Sequence, residues 1–267
     1  MKTIGIIGYG AIGKVLTEHI SSNLKEYVDK VYVCEIDKSK FDDILLDGKF
    51  FIKTDSISDL IKFSDLVVEA ANPKVAIETL SECISKKKDI IVISVGGLLG
   101  NEDLLLKAEK QKVKVILPSG AIAGVDAIKA AKISGIDEVT ITTRKPPLSL
   151  TGAPYIEQNK IDLHKISKET IVFEGKAQEA IKGFPKNINV SAVLSLAGIG
   201  TEKTMVRIIV SPKFTTNSHE IVVKSKAGVI RTLTDNVPSP KNPKTSFLAA
   251  LSVISAIESY FKSVQIG

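Results

Sequence analysis

The chain has no tryptophan, two cysteines and three histidines among its 267 residues, and only 5% of it is aromatic. Two isolated cysteines, Cys34 and Cys83, are too few for a disulfide framework or a zinc site, so no metal and a reducing, cytoplasmic setting are expected. No apolar run approaches the ~20 residues that a bilayer-spanning helix needs, and no membrane partner is expected. Met1, Lys2 and Thr3 run straight into the apolar Ile4–Ile7 without the long hydrophobic stretch of a secretory signal. Arginine is scarce as well: Arg144, Arg207 and Arg231 stand among 36 basic residues. Bidentate readout of guanine therefore has little material, and the densest basic run, Lys86 to Lys88, reads as a solvated helix end. The net charge of +6 is spread over interleaved lysines and acids, so no nucleic-acid partner is expected either.

What is present describes an ordinary globular protein. Hydrophobic residues make up 44%, charged residues 25%, and the mean hydropathy is +0.16. This length suits two moderate domains, each with its own core. The stretch KTIGIIGYGAIGKV places a short apolar strand, then Gly8, Gly10 and Gly13 in G-x-G-x-x-G spacing, then a helical pattern that begins with Ala11 and Ile12. Gly8 permits a tight turn, Gly10 lets a pyrophosphate approach the backbone, and Gly13 lets the helix pack against the strand. The helix N-terminus adds N–H donors and a partial positive charge. VYVCEID, residues 31–37, reads as a second strand ending in acid. Glu35 lies the expected ~20 residues past the last glycine, where a carboxylate accepts the ribose hydroxyls and repels a 2′-phosphate. NAD is therefore the predicted cofactor, with NADP as the alternative.

SDLVVEAAN (64–72), DIIVISVGG (89–97) and KVKVILPSGA (112–121) are continuous apolar runs of the kind parallel strands show when covered on both faces. Their alternation with helical patterns predicts an α/β fold with a doubly wound Rossmann sheet over residues 1–120. Its ligand crevice lies beyond the strand carboxyl ends, where Ala71, Asn72, Gly96, Gly97 and Gly120 fall. From about Val125 the pattern changes to a small-residue helix over 126–131 and alternating strands at EVTITTR, TIVFEG, TMVRIIVSP and HEIVVKS. This predicts a second α+β domain, residues 121–240, with a mainly antiparallel sheet. KNPKTS then opens a last helix over 241–267, capped by Asn242 with Pro243 at its first position, whose apolar stripe of Phe247, Leu251, Ile254, Ile257 and Phe261 rejoins the first domain.

The segments GYGAIGK, SVGG, LPSGAIAGVDA, TTRKPP, FPKNINVSAVLSLAG, NSHEI and NPKTS, in this order over nearly the whole chain, resemble the L-aspartate dehydrogenase family. The resemblance implies NAD(P)-dependent oxidative deamination of L-aspartate through iminoaspartate to oxaloacetate and ammonia, or the reverse. It also implies a homodimer and a place at the entry to NAD biosynthesis. The family's catalytic histidine falls on His219. Its cofactor-contacting alanine falls on Ala123 or Ala121, and its asparagine after the PKN triplet on Asn189. The chemistry agrees with the name, because an amino-acid oxidation needs a proton carrier and imidazole titrates near ~6.5. A dicarboxylate also needs cationic and hydrogen-bonding partners. Lys186, Asn187, Lys244, Thr245 and Ser246 are the candidates, with Arg144 and Lys145 as further ones. Two other readings remain open: a dehydrogenase or reductase of another small substrate, of the homoserine dehydrogenase or dihydrodipicolinate reductase kind, and a non-catalytic NAD sensor that makes no demand on His219.

Overall fold

The computed structural model describes residues 1–43, 49–185, 189–239 and 242–266. They form two compact units, one of residues 1–118 with 250–266 and one of residues 119–249.

The first unit runs β1 (Lys2–Ile7), α1 (Ala11–Asn23), β2 (Val28–Cys34), β3 (Phe51–Thr54), α2 (Ile57–Phe63), β4 (Leu66–Glu69), α3 (Pro73–Lys86), β5 (Asp89–Val92), α4 (Asp103–Gln111) and β6 (Val115–Ile116). The described residues build a six-stranded sheet in the order β3-β2-β1-β4-β5-β6, every pair parallel. This is the Rossmann arrangement, with its switch point between β1 and β4. Ile4, Ile6, Leu66, Val67 and Val68 are fully buried, as central strands covered on both faces require; each such side chain contributes roughly 1.5–3 kcal/mol. Leu16 and Ile20 of α1 share one core with Val253, Ile254 and Ile257 of the C-terminal helix, while Leu60, Ala76 and Leu80 of α2 and α3 fill the other. Strand β2 ends at Cys34 rather than running on to Asp37, so Glu35 stands just past it.

The second unit holds α5 (Val125–Ser134), β7 (Ile136–Lys145), α6 (Pro154–Gln158), β8 (Thr170–Lys176), α7 (Ala177–Gly183), α8 (Asn189–Ala197), β9 (Thr204–Val210), β10 (Asn217–Ser225), β11 (Gly228–Asn236), β12 (Pro238–Ser239) and β13 (Asn242–Ser246). The larger sheet has the order β11-β10-β7-β9-β8. Only the β7–β9 pair is parallel, so the sheet is mixed rather than uniformly antiparallel. Across the antiparallel ladder His219 stands opposite Thr143 on one side and Thr234 on the other.

The expected helix start at NPKTS is corrected. Asn242–Ser246 forms a strand paired with β12, and helix α9 (Phe247–Phe261) begins after it. Pro243 holds the residue before it in extended backbone, and the ladder partner supplied by Pro238 and Ser239 makes that conformation the stable one. The buried stripe shifts too: Ala250, Val253, Ile254 and Ile257 are buried, whereas Leu251 is 40% exposed. No helix among the described residues is long and apolar enough to cross a membrane.

Candidate functional site

In the first unit the glycine turn is shaped by contacts that admit no side chain. Gly8 has φ +95°, and a Cβ there would stand 2.5 Å from the Ala70 carbonyl oxygen. A Cβ on Gly13 would lie 2.3 Å from the Gly8 carbonyl oxygen. Gly10 differs, since a Cβ on it would meet nothing within 4 Å. It is also the N-cap of α1, with no side-chain cap and no acid in the first turn. The space beside Gly10 at the start of α1, whose first residues are Ala11 and Ile12, is thus open, and no capping side chain or first-turn acid compensates the partial positive charge of the helix N-terminus. A dinucleotide pyrophosphate fits such a cradle, and Gly8, Gly10, Ala11, Ile12 and Gly13 are the residues that would hold it.

Two carboxylates frame this turn. Glu35 accepts hydrogen bonds from the Tyr9 N–H at 2.7 Å and the Asp37 N–H at 3.0 Å, and Lys40 Nζ lies 3.3 Å from it. Partial burial pushes its pKa up, but the N–H donors and Lys40 outweigh that and hold the carboxyl below its ordinary range. A charged acid thus stands beside the turn. Glu69, at the end of β4, is fully buried. It accepts from the Ala71 N–H at 2.8 Å, the Ser94 N–H at 3.0 Å and the Ser94 hydroxyl at 2.9 Å. Burial pushes its pKa up against these donors. Glu69 ties together the turns that leave β4 and β5, and it was missed because an acid inside VVEAAN reads as a simple strand end. Asn72 follows on the same turn and caps α3, its Oδ1 accepting from the Lys74 and Val75 N–H groups.

In the second unit, Thr143 Oγ1 lies 2.9 Å from His219 Nδ1. His219 as a whole is 7% exposed. With the proton on Nδ1 donated to Thr143, the Nε2 lone pair is left to accept a proton. Burial, and then the positive charge of Lys145, lower the His219 pKa to about 3, so the imidazole is neutral at working pH. Strand alternation puts Thr143 and Lys145 on the face of His219 and turns Arg144 to the other, where it pairs with Glu220 at 2.8 Å. The two basic neighbours are therefore separated by the pleat.

A cavity of about 710 Å³ opens on the His219 side of the sheet, lined by Lys145, Thr216, Asn217, Asn236 and Ser246 among others. Ser246 donates to Asn236 Oδ1 at 2.7 Å, and Asn236 Nδ2 donates to the Ala121 carbonyl at 3.1 Å. Thr234 also donates to Ala121, and Thr232 to the Ala123 carbonyl, so the Ala121–Ala123 loop is fastened to β11. Asn189 is the first residue of α8 and is exposed. Lys186 and Asn187 lie outside the described residues. The backbone of Lys244 and Thr245 belongs to β13, and their side chains lie outside the description as well. The other histidines serve elsewhere: His19 pairs with Glu258 at 2.9 Å, and His164 is exposed. Both cysteines are buried, and burial pushes Cys83 up to about 12, so neither offers a thiolate nucleophile.

Two family models match the chain. The model described as aspartate dehydrogenase, C-terminal, matches residues 126–260, and that described as homoserine dehydrogenase, NAD binding domain, matches residues 8–118. The chain is 43% identical over 275 residues to the L-aspartate dehydrogenase of Methanosarcina mazei, with 100% of both chains covered. The chain belongs to the aspartate dehydrogenase family. The aspartate dehydrogenase family also includes the L-aspartate dehydrogenase of Methanosarcina barkeri, 41% identical over 271 residues with full coverage of both chains. The crystal structure of aspartate dehydrogenase from Thermotoga maritima superposes with a TM-score of 0.79 at 27% identity, again over 100% of each chain.

Proposed function

We propose that the protein is an NAD(P)-dependent L-aspartate dehydrogenase, converting L-aspartate through iminoaspartate to oxaloacetate and ammonia and running in either direction, as a supply of iminoaspartate to NAD biosynthesis. The observation that carries this reading is a buried neutral imidazole beside a buried lysine, within the segment that the aspartate dehydrogenase model matches. Bound NAD supplies the acceptor for the hydride that leaves Cα. The substrate amine must lose its ammonium proton before that hydride departs, and neutral His219 accepts a proton at Nε2. That first proton passes on to solvent; the neutral imidazole, held in place by Thr143, then takes a proton from the water that attacks the imine carbon and returns it to the nitrogen, which leaves as ammonia. In this reading the first unit holds the dinucleotide and the second the amino acid. Gly8 to Gly13, Glu35, Ala71 and Asn72 belong to the former role. Asn189 and the Ala121–Ala123 loop supply further cofactor contacts, and Ser246 with Lys244 and Thr245 supplies the substrate's polar partners.

Following NADH or NADPH absorbance across L-aspartate, L-glutamate, L-malate and L-homoserine tests the reading. Activity is expected with L-aspartate, and kcat/KM is expected to favour NAD over NADP by about tenfold or more, because a 2′-phosphate would meet the charged Glu35. Turnover confined to L-homoserine would transfer the chain to the activity that its NAD-binding half also suggests. No turnover with any of the four, while NAD still binds, would favour a sensor. The protein works as a cytoplasmic homodimer in this reading; a monomer mass by light scattering would remove the dimer, and enzyme recovered outside the cytoplasmic fraction would remove the compartment.

A further inference from the structure

Strand β11 carries Thr232, Thr234 and Asn236 on one face, and all three bind the same loop of the second unit. Thr232 Oγ1 donates to the Ala123 carbonyl at 3.2 Å, Thr234 Oγ1 to the Ala121 carbonyl at 2.9 Å, and Asn236 Nδ2 to that same carbonyl at 3.1 Å. The loop lies close on the strand: Gly124 has φ +79°, and a Cβ there would stand 2.8 Å from Thr232 Cγ2. Across the ladder Thr234 stands opposite His219, and Asn236 opposite Asn217. Asn236 is 4% exposed, and its Oδ1 accepts from the Ser246 hydroxyl at 2.7 Å. Asn217, Asn236 and Ser246 all line the 710 Å³ cavity. Asn236 therefore belongs both to the row that holds the loop and to the cavity wall.

A carboxamide donates at one end and accepts at the other. The Ala121 carbonyl can only accept, which sets Nδ2 toward the loop and leaves Oδ1 for Ser246, so one planar group spans from the loop to the cavity wall. We propose that Asn236 is the positioning residue that couples the two ligands: an acid in the cavity and a dinucleotide at the Ala121–Ala123 loop each tighten the other through its amide. The proposal rests on the L-aspartate dehydrogenase reading, in which that loop meets the cofactor and the cavity takes the acid. Nδ2 has a second hydrogen, and its contacts with Thr234 are long, 3.5 Å to the carbonyl and 3.4 Å to the hydroxyl. A carboxylate in the cavity offers that hydrogen a stronger acceptor. The amide so held keeps Ala121 in place, and a loop already held costs less to order when the second ligand arrives. Linkage makes the effect reciprocal.

The test is NAD binding by the full chain, measured by calorimetry with and without saturating succinate, a dicarboxylate that has no amine to lose. In the wild type, succinate is expected to lower the Kd for NAD by about fivefold or more, and saturating NAD to lower the Kd for succinate by the same factor. In N236A that factor is expected to fall to within about twofold of one. S246A keeps the bond to Ala121 but removes the partner of Oδ1, and the same loss is expected. T232V takes a hydroxyl from the Ala123 carbonyl and leaves the Asn236 amide alone; NAD should weaken while the wild-type factor persists. A role for Asn236 confined to stability would weaken NAD and leave the factor in place. A wild-type factor within about twofold of one, a factor retained in N236A or S246A, or a factor lost in T232V overturns the coupling. The wild type and S246A carry the test even where N236A does not fold. Coupling in a wild type that does not oxidise L-aspartate supports the role of Asn236 and sinks the functional reading. Oxidation of L-aspartate without coupling sinks the role of Asn236 alone.

Discussion

Exchange of His219 for alanine is expected to lower kcat for L-aspartate oxidation by roughly 10²–10⁴-fold, the usual contribution of a positioned acid–base group. The affinity for NAD should be unchanged, because the glycine turn and Glu35 belong to the other unit. No second imidazole can substitute: His19 is paired with Glu258, and His164 is exposed in a short turn after α6. Lys145 is left behind, but with His219 gone it has no ring on its face to relay a proton. H219Q, which keeps volume and polarity without a titrating nitrogen, should lose turnover to a similar extent. Steady-state turnover measured beside NAD titration separates the two effects. Turnover retained in both variants would show that another group carries the proton.

The glycines of the nucleotide turn should separate cofactor binding from folding. G13A places a methyl 2.3 Å from the Gly8 carbonyl oxygen. The methyl is fixed rigidly to the helix and the atom it meets is backbone, so α1 must shift away from the glycine turn, and NAD affinity and Tm should fall together. G10A has no such conflict, because its Cβ meets no protein atom within 4 Å and its φ of −80° suits any residue. Its methyl projects instead into the space a pyrophosphate would use. NAD affinity should fall about tenfold or more, equivalent to ~1.4 kcal/mol, while Tm stays at the wild-type value. Unimpaired NAD binding by G10A would place the pyrophosphate elsewhere.

Much of the first unit was legible because its signals are local. The strand, glycine turn and helix of residues 4–20 follow one another directly, and β1, β4 and β5 are built around uninterrupted apolar runs because both faces of the sheet are covered. Strand β3 escaped notice because four residues, FIKT, carry too little pattern. Strand β11 was missed for another reason. It is the sheet's edge, and its apolar Val229 and Leu233 are more than half exposed, so its alternation does not match an inside and an outside. His219 was legible from its motif, but its environment was not: Thr143 is 76 residues distant in the chain and meets the ring only through the β7–β10 register. That burial also changes the expectation of an ordinary imidazole, since the ring is neutral far below its usual titration range. The helix start at NPKTS was misread because Asn-Pro is as good a cap as it is an extended dipeptide, and only the partner strand decides.

The alternation of β7 has a consequence for chain length. Thr143, Arg144 and Lys145 take alternate faces in register with His219 and Glu220 of β10. Loss of a single residue between Val139 and Thr143 would slide this segment by one place and exchange its faces. Arg144 would then enter the cavity and leave Glu220 unmatched, while Lys145 would emerge on the outer surface. Natural insertions and deletions in relatives should therefore collect in the loops after Lys145 and before Asn217, where they leave the parity of both strands intact.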